Sequence, residues 1–251
     1  VRSVSKKPAI VSFTCDENGR TLTGTDAAAA LTVMQGMGAD AFGLNCSVGP
    51  REILAQIERI RPFAEIPLLA KPNAGLPQVA EGRTVYNCPP EEFADCARDF
   101  AANGVAFFGG CCGTDEGHVA ALRAALAGAV TAAPAPDFGG RLPCATEKDV
   151  FLLDPAVEIP EPFACGGELL DDIEDAQDEG AEVLAVRVET LEDAELFADC
   201  QYAVRVPLCI VSGDAAALEA ALRAYQGRAI YSGPLADDAL VPLAEKYGLI
   251  I

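Results

Sequence analysis

"ADAFGLNCSVGPREILAQIERI", residues 39–60, carries one complete strand-to-helix step. The run from Ala39 to Cys46 reads as a strand, and Pro50 opens a helix, a residue favoured in the first helical turn. The same grammar extends in both directions. Upstream, "PAIVSFTC" (8–15) is a β-branched apolar run, "ENGRTLTG" a loop, and "TDAAAALTVMQGMG" a helix from Thr25 that starts on Thr-Asp and ends on Gly. Downstream, "IPLLAKPNAG" is a strand running into a loop, and "PPEEFADCARDFAANG" a helix with an acidic first turn that ends at Gly104. "VAFFGGCC" is then a strand and "TDEGHVAALRAALAG" a helix capped by Thr114 or Asp115. Such strand–helix pairs in series predict parallel strands with right-handed crossovers, an α/β fold of (β/α) units.

From 129 to 149 the texture changes: "AVTAAPAPDFGGRLPCATEKD" is rich in Pro, Gly and Ala, has no period, and reads as a linker. Alternation then resumes through helix "ELLDDIEDAQDEG", strand "AEVLAVRVE", helix "LEDAELFADC", strand "VPLCIVSG", helix "DAAALEAALRAYQG", short strand "RAIYSG", helix "DDALVPLAEKYG" and a last strand "LII". The expected organisation is therefore a first domain at 1–128, the linker at 129–149 and a second (β/α) segment at 150–251.

Composition narrows the function classes. At 251 residues and 51% hydrophobic, the chain can bury one large core or two smaller ones. No apolar run reaches the roughly 18 residues of a membrane helix, and no signal peptide is visible. It begins at Val1 without an initiator Met, which suggests a fragment or a processed form. Net charge is −20, and no Lys/Arg cluster supplies the basic footprint of a nucleic-acid binder. The ten cysteines in a long chain without a signal read as thiols in a reducing cytoplasm, mostly buried as small hydrophobes.

Cys46 closes one predicted strand, and Cys111 and Cys112 close another. Parallel strands deliver both sets to the carboxyl-terminal face of the sheet. Adjacent cysteines rarely bridge each other, because the ring they would close is strained. Three soft thiolates converging there suit zinc, and three protein ligands leave one position open, as in catalytic sites. The flanking Gly109, Gly110 and Gly113 let the backbone turn so that neighbouring side chains face one ion. A redox switch at Cys111–Cys112 has less support, since the usual redox spacing is C-x-x-C.

"GLNCSVGP" (43–50), "KPNAGLP" (71–77) and "FGGCCGT" (108–114), in this order and spacing, resemble the homocysteine S-methyltransferase domain, most closely the form that opens cobalamin-dependent methionine synthases. The resemblance runs from residue 8 to about 128. It implies a (β/α)8, TIM-type barrel whose zinc is held by Cys46, Cys111 and Cys112. It implies the reaction as well: homocysteine's thiol takes the open zinc position, loses its proton and attacks a methyl group to give methionine. Methylcobalamin on another domain or protein is the methyl donor this likeness suggests.

The likeness covers only the second half of such a barrel, and four strands cannot close it. Three completions are open: a longer parent protein, a partner that supplies the missing N-terminal barrel half, or strands from this chain's own second segment. Residues 150–251 resemble, more weakly, the start of the pterin-binding barrel. There "LAVRV", "IVSG" and "YSG" lack the expected Asp and Asn residues, and the Gly-Glu-Arg opening is reduced to "CGGELL", so this segment is expected not to bind folate.

Asn73, at the end of the strand between the two cysteine-bearing strands, is a candidate to fill the open metal position or to orient substrate. His118, the only histidine, is expected to serve at the surface or in helix packing and not as a ligand. Asp214 and Glu189 are expected in helix-start or surface roles. The alternative to a methyltransferase is a non-catalytic zinc-stabilised domain, or an accessory subunit of a corrinoid methyltransferase system.

Overall fold

The computed structural model describes residues 4–251; the first three residues of the expected first domain lie outside these. It divides into two compact units, one of residues through Leu31 with Ala39–Asp137, the other of Thr32–Gly38 with Phe138–Ile251.

The chain runs through β1 (Ile10–Phe13), α1 (Ala27–Gly36), β2 (Ala41–Asn45), α2 (Pro50–Ile60), β3 (Leu68–Lys71), β4 (Gln78–Ala80), β5 (Arg83–Val85), α3 (Pro90–Ala94), α4 (Ala97–Ala102), β6 (Val105–Phe108) and α5 (Glu116–Ala125). The first unit is built on a sheet of order β1-β2-β3-β6, with every pair parallel. Helix α2 packs on β2 and β3. It forms because Pro50 follows the extended Gly49 and because Ile53, Ile57 and Ile60 recur at helical spacing, all nearly solvent-free. On the sheet face they cover, Phe42, Leu44, Leu68 and Ala70 are buried. Each large aliphatic or aromatic side chain buried this way contributes roughly 1.5–3 kcal/mol.

The register lines up Ser12, Gly43, Leu69 and Phe107 on the other face. Glycine is required at position 43, because a Cβ there would collide with the Leu69 carbonyl of the neighbouring strand. This face is open at its margins, with Ile10 47% and Phe107 41% exposed.

The helix expected over 89–104 is two helices. Cys96, at φ −82° and ψ −1°, interrupts the ladder. Phe93 and Ala94 before the break and Ala97 after it cluster with Leu122 of α5, while Phe100 lies edge-on to Phe108 of β6, centroids 6.5 Å apart.

The second unit contains β7 (Leu142–Ala145), β8 (Val150–Leu153), β9 (Phe163–Ala164), α6 (Leu169–Asp178), β10 (Leu184–Arg187), α7 (Leu191–Cys200), β11 (Leu208–Val211), α8 (Ala215–Ala224), β12 (Ile230–Ser232) and α9 (Asp237–Tyr247). Its sheet, order β12-β11-β10-β9, is again all parallel. Leu184, Val186, Leu208 and Ile210 share a core with Leu169, Ile173, Phe197 and Leu218 of the helices. Cys209, Ala185 and Ile230 join Cys144 and Leu153 of the antiparallel β7–β8 hairpin in a second cluster. Strand β7 falls inside the stretch read as linker, where Pro143 and Cys144 carry no period for a pattern search to find. The last expected strand is a single bridge from Ile250 to Ile230. Among the described residues no helix is long and apolar enough to cross a membrane.

Candidate metal centre

At the carboxyl end of β2 the chain turns sharply. Cys46 and Ser47 both take left-handed backbone angles, φ 62° and 63°, which cost a non-glycine residue about 1–2 kcal/mol each. Val48 N donates to Cys46 O at 2.7 Å, closing the turn. The end of β3 clamps it: Cys46 N donates to Lys71 O and Asn73 N to Val48 O, each at 3.0 Å.

The loop after β6 is tied to the same segment. Cys111 N donates to Pro72 O at 2.8 Å and Ala74 N to Cys112 O at 2.9 Å. Asn73 Oδ1 accepts from Cys112 N at 3.1 Å. Residues 72–74 therefore lie between the two cysteine loops and bond to both. Asn73, 3% exposed, spans the gap with its backbone on one side and its side chain on the other.

This scaffold gathers the three predicted cysteines. The Sγ atoms of Cys46, Cys111 and Cys112 all lie within 4.8 Å of one another, and those of Cys46 and Cys112 are 3.6 Å apart. Cys46 and Cys111 form a disulfide, Cα atoms 5.5 Å apart, where the sequence reading has ten thiols. Two sulfurs aimed at one small volume also stand within bonding reach of each other. Three sulfurs tetrahedrally placed at ~2.3 Å from zinc stand about 3.8 Å apart, so the reduced cluster fits such an ion in donor type, number and spacing.

The other cysteines sit in different chemistry. Burial pushes the thiols of Cys15 and Cys144 up to about 11 and those of Cys165 and Cys209 up to about 12; nearby Asp16 and Asp26 add to the effect at Cys15, as do Asp193 and Cys200 at Cys165. They stay neutral thiols at neutral pH and are unsuited to metal or nucleophilic work.

His118 is buried away from the sulfurs. Its Nδ1 lies 2.7 Å from Asp115 Oδ1 in the capping box that opens α5, its Nε2 lies 3.0 Å from Cys88 O, and its ring is edge-on to Phe93. It packs as one of the two expected roles has it, is buried and so not at the surface, and adds a capping role that was not expected. Asp214 caps α8 by accepting from Ala216 N and Ala217 N. Glu189 accepts from Gly213 N at 3.0 Å.

Two residues at the centre escape a sequence reading. Ser47 shares the strained turn with Cys46. Tyr86 follows the β4–β5 hairpin and lies against Gly113, where an added Cβ would come within 2.5 Å of the tyrosine Cβ and Cγ. Gly113, at φ 78°, is thus required both by its backbone and by this contact. The Tyr86 hydroxyl meets the Cys112 side chain; burial first, then this contact, holds the phenol above its usual range. The one signal in the sequence is an aromatic residue in an otherwise polar loop.

Three cysteine sulfurs at the carboxyl ends of parallel strands define the class: an α/β protein with a cluster able to hold a metal ion. The chain belongs to the homocysteine S-methyltransferase family, whose sequence model matches residues 1–126. It is 36% identical over 121 residues to the methionine synthases of Mycobacterium leprae and Mycobacterium tuberculosis, a match covering 48% of this chain and 10% of each relative. The chain thus matches about a tenth of the length of these curated relatives. Among solved structures it is similar to the homocysteine methyltransferase MmuM from Escherichia coli, at 25% identity and a TM-score of 0.39, covering 49% of this chain and 38% of that one.

Proposed function

We propose that residues 1–128 are the thiol-activating half of a homocysteine S-methyltransferase barrel, with Cys46, Cys111 and Cys112 as ligands to one zinc ion. The observation that carries this reading is the meeting of three sulfurs from two strand ends within 4.8 Å. When bound, zinc supplies Lewis acidity that keeps a substrate thiol deprotonated at neutral pH, where a free thiol with pKa near ~8.5 is mostly protonated. The chain's own residues hold the three sulfurs and anchor the two cysteine loops through residues 72–74. Asn73 is the substrate-side candidate. Because its Oδ1 already accepts from Cys112 N, its first role is to orient that loop.

The substrate is homocysteine and the product methionine, with methylcobalamin on another domain or protein as donor; the likeness to methionine synthases supports this. In this reading 129–149 connects to a pterin-binding-like segment at 150–251 that no longer binds folate. The protein works in the cytoplasm.

The test is X-ray absorption on the reduced, zinc-loaded chain with and without homocysteine. The expected result is three sulfur ligands rising to four on addition of substrate. A sulfur count unchanged by homocysteine would favour a non-catalytic zinc-stabilised domain, and absence of zinc uptake by the reduced chain would overturn the reading.

A further inference from the structure

We propose that Tyr86 is a positioning residue of this centre: its hydroxyl donates a hydrogen bond to Cys112 Sγ, and its ring, seated on Gly113, sets the direction in which that sulfur faces. This rests on the reading of the cysteine cluster as a metal site.

The geometry is built from several independent ties. Gly113 leaves the space in which the Tyr86 ring sits; a methyl group at 113 would overlap its Cβ, Cγ and Cδ2. The segment just after Tyr86 is pinned on two sides. Cys88 N donates to Ala74 O at 3.0 Å, on the same 72–74 segment that bonds both cysteine loops. Cys88 O lies 3.0 Å from Nε2 of His118, whose other nitrogen is held by Asp115. These ties fix the loop that seats the Tyr86 ring on Gly113, next in sequence to Cys112, the most exposed of the three cysteines.

That sulfur needs a donor. Three thiolates around a dication leave one excess negative charge, and the chain as a whole carries −20. A hydrogen bond to the ligand sulfur disperses that charge, and partners outside the ligand shell typically contribute 10–100-fold in metal affinity. His118, although not a ligand, acquires a role here: it fixes the loop that presents Tyr86.

The experiment compares the wild-type chain with Tyr86→Phe, which keeps the ring on Gly113 and removes only the hydroxyl. Both are reduced and titrated with zinc against a competing chelator, then loaded with cobalt to read the sulfur-to-metal charge-transfer absorption. The expected result is 10–100-fold weaker zinc binding by Tyr86→Phe and a charge-transfer band moved to lower energy, because the unbonded sulfur is more electron-rich. Equal affinity within threefold and an unmoved band in a folded variant would overturn the proposal while leaving the metal site intact. A wild-type chain that takes up neither metal overturns the metal site itself. Should the variant fold poorly, 3-fluorotyrosine can replace tyrosine throughout. Tyr86 is the only tyrosine before residue 202, and the stronger fluorinated donor is expected to move the cobalt band to higher energy. No movement there also counts against the proposal.

Discussion

Replacing Asn73 by alanine removes the one side-chain tie between the two cysteine loops without touching a sulfur. The side chain is 3% exposed, and its Oδ1 is the acceptor for Cys112 N at 3.1 Å. Its backbone bond to Val48 O survives the substitution, as do the bonds from Cys111 N to Pro72 O and from Ala74 N to Cys112 O, so only the Cys112 amide loses its acceptor. A fully buried donor left without its acceptor costs about 1–3 kcal/mol, and the part-buried Cys112 amide falls at the low end of that range. At about 1 kcal/mol, local opening at the Cys112 amide becomes about fivefold easier at 1.4 kcal/mol per factor of ten. Hydrogen exchange at the Cys112 amide reads this directly and should speed up by that factor, while amides of β2 and α2 keep their protection. Zinc affinity should fall 10–100-fold in parallel, because ligand orientation is lost. Asn73→Asp retains an acceptor and should restore most of the amide's protection. If Asn73→Ala leaves both the exchange rate and the affinity within threefold of wild type, the two loops are held by something other than this residue.

Gly43→Ala should destabilise the first unit by about 3 kcal/mol, because the added methyl overlaps the Leu69 carbonyl of the paired strand; a thermal melt unchanged within a degree would contradict this. Chelation of a zinc-loaded, reduced chain should expose three thiols to rapid alkylation at pH 8, mapped by mass spectrometry to Cys46, Cys111 and Cys112, while Cys209 and Cys165, held near 12 mainly by burial, react orders of magnitude more slowly. Cys144 and Cys209, each 0% exposed, also set an alkaline limit. Burial raises them from 9.0 to about 11 and about 12, so above pH 9 the unfolded chain releases these protons first. Stability of the second unit should hold below that point and fall as pH rises toward 11–12, by up to about 1.4 kcal/mol per pH unit for each thiol. Urea unfolding of wild type and Cys209→Ala across that range tests it, with a shallower slope expected for the variant.

Much of the fold is legible in local pattern. Ile53, Ile57 and Ile60 announce α2 by spacing alone, Pro50 marks its start, and Asp115, Thr190 and Asp214 sit where caps belong. The β4–β5 hairpin and the short β9 carry no such signal, since two or three residues are too few to show a period. Cys96 illustrates the other limit. Nothing in "EEFADCARDF" says that a helix must stop there, because its flanking residues pack against α5 and β6, which are distant in sequence.

The metal-site cysteines are visible as residues at the ends of apolar runs, and Gly109, Gly110 and Gly113 show that the loop must turn. Strand ends and glycines are local features, so the amino-acid order alone determined the α/β architecture and named the three sulfurs. It did not determine what surrounds them. That Asn73 turns its oxygen to an amide 39 residues away, that Ser47 accepts a left-handed backbone, and that Tyr86 rests on Gly113 beside Cys112 were decided by the tertiary structure. Each depends on where β3, β6 and the hairpin loop meet in space, and a contact between distant segments exists only once the sheet that aligns them has formed.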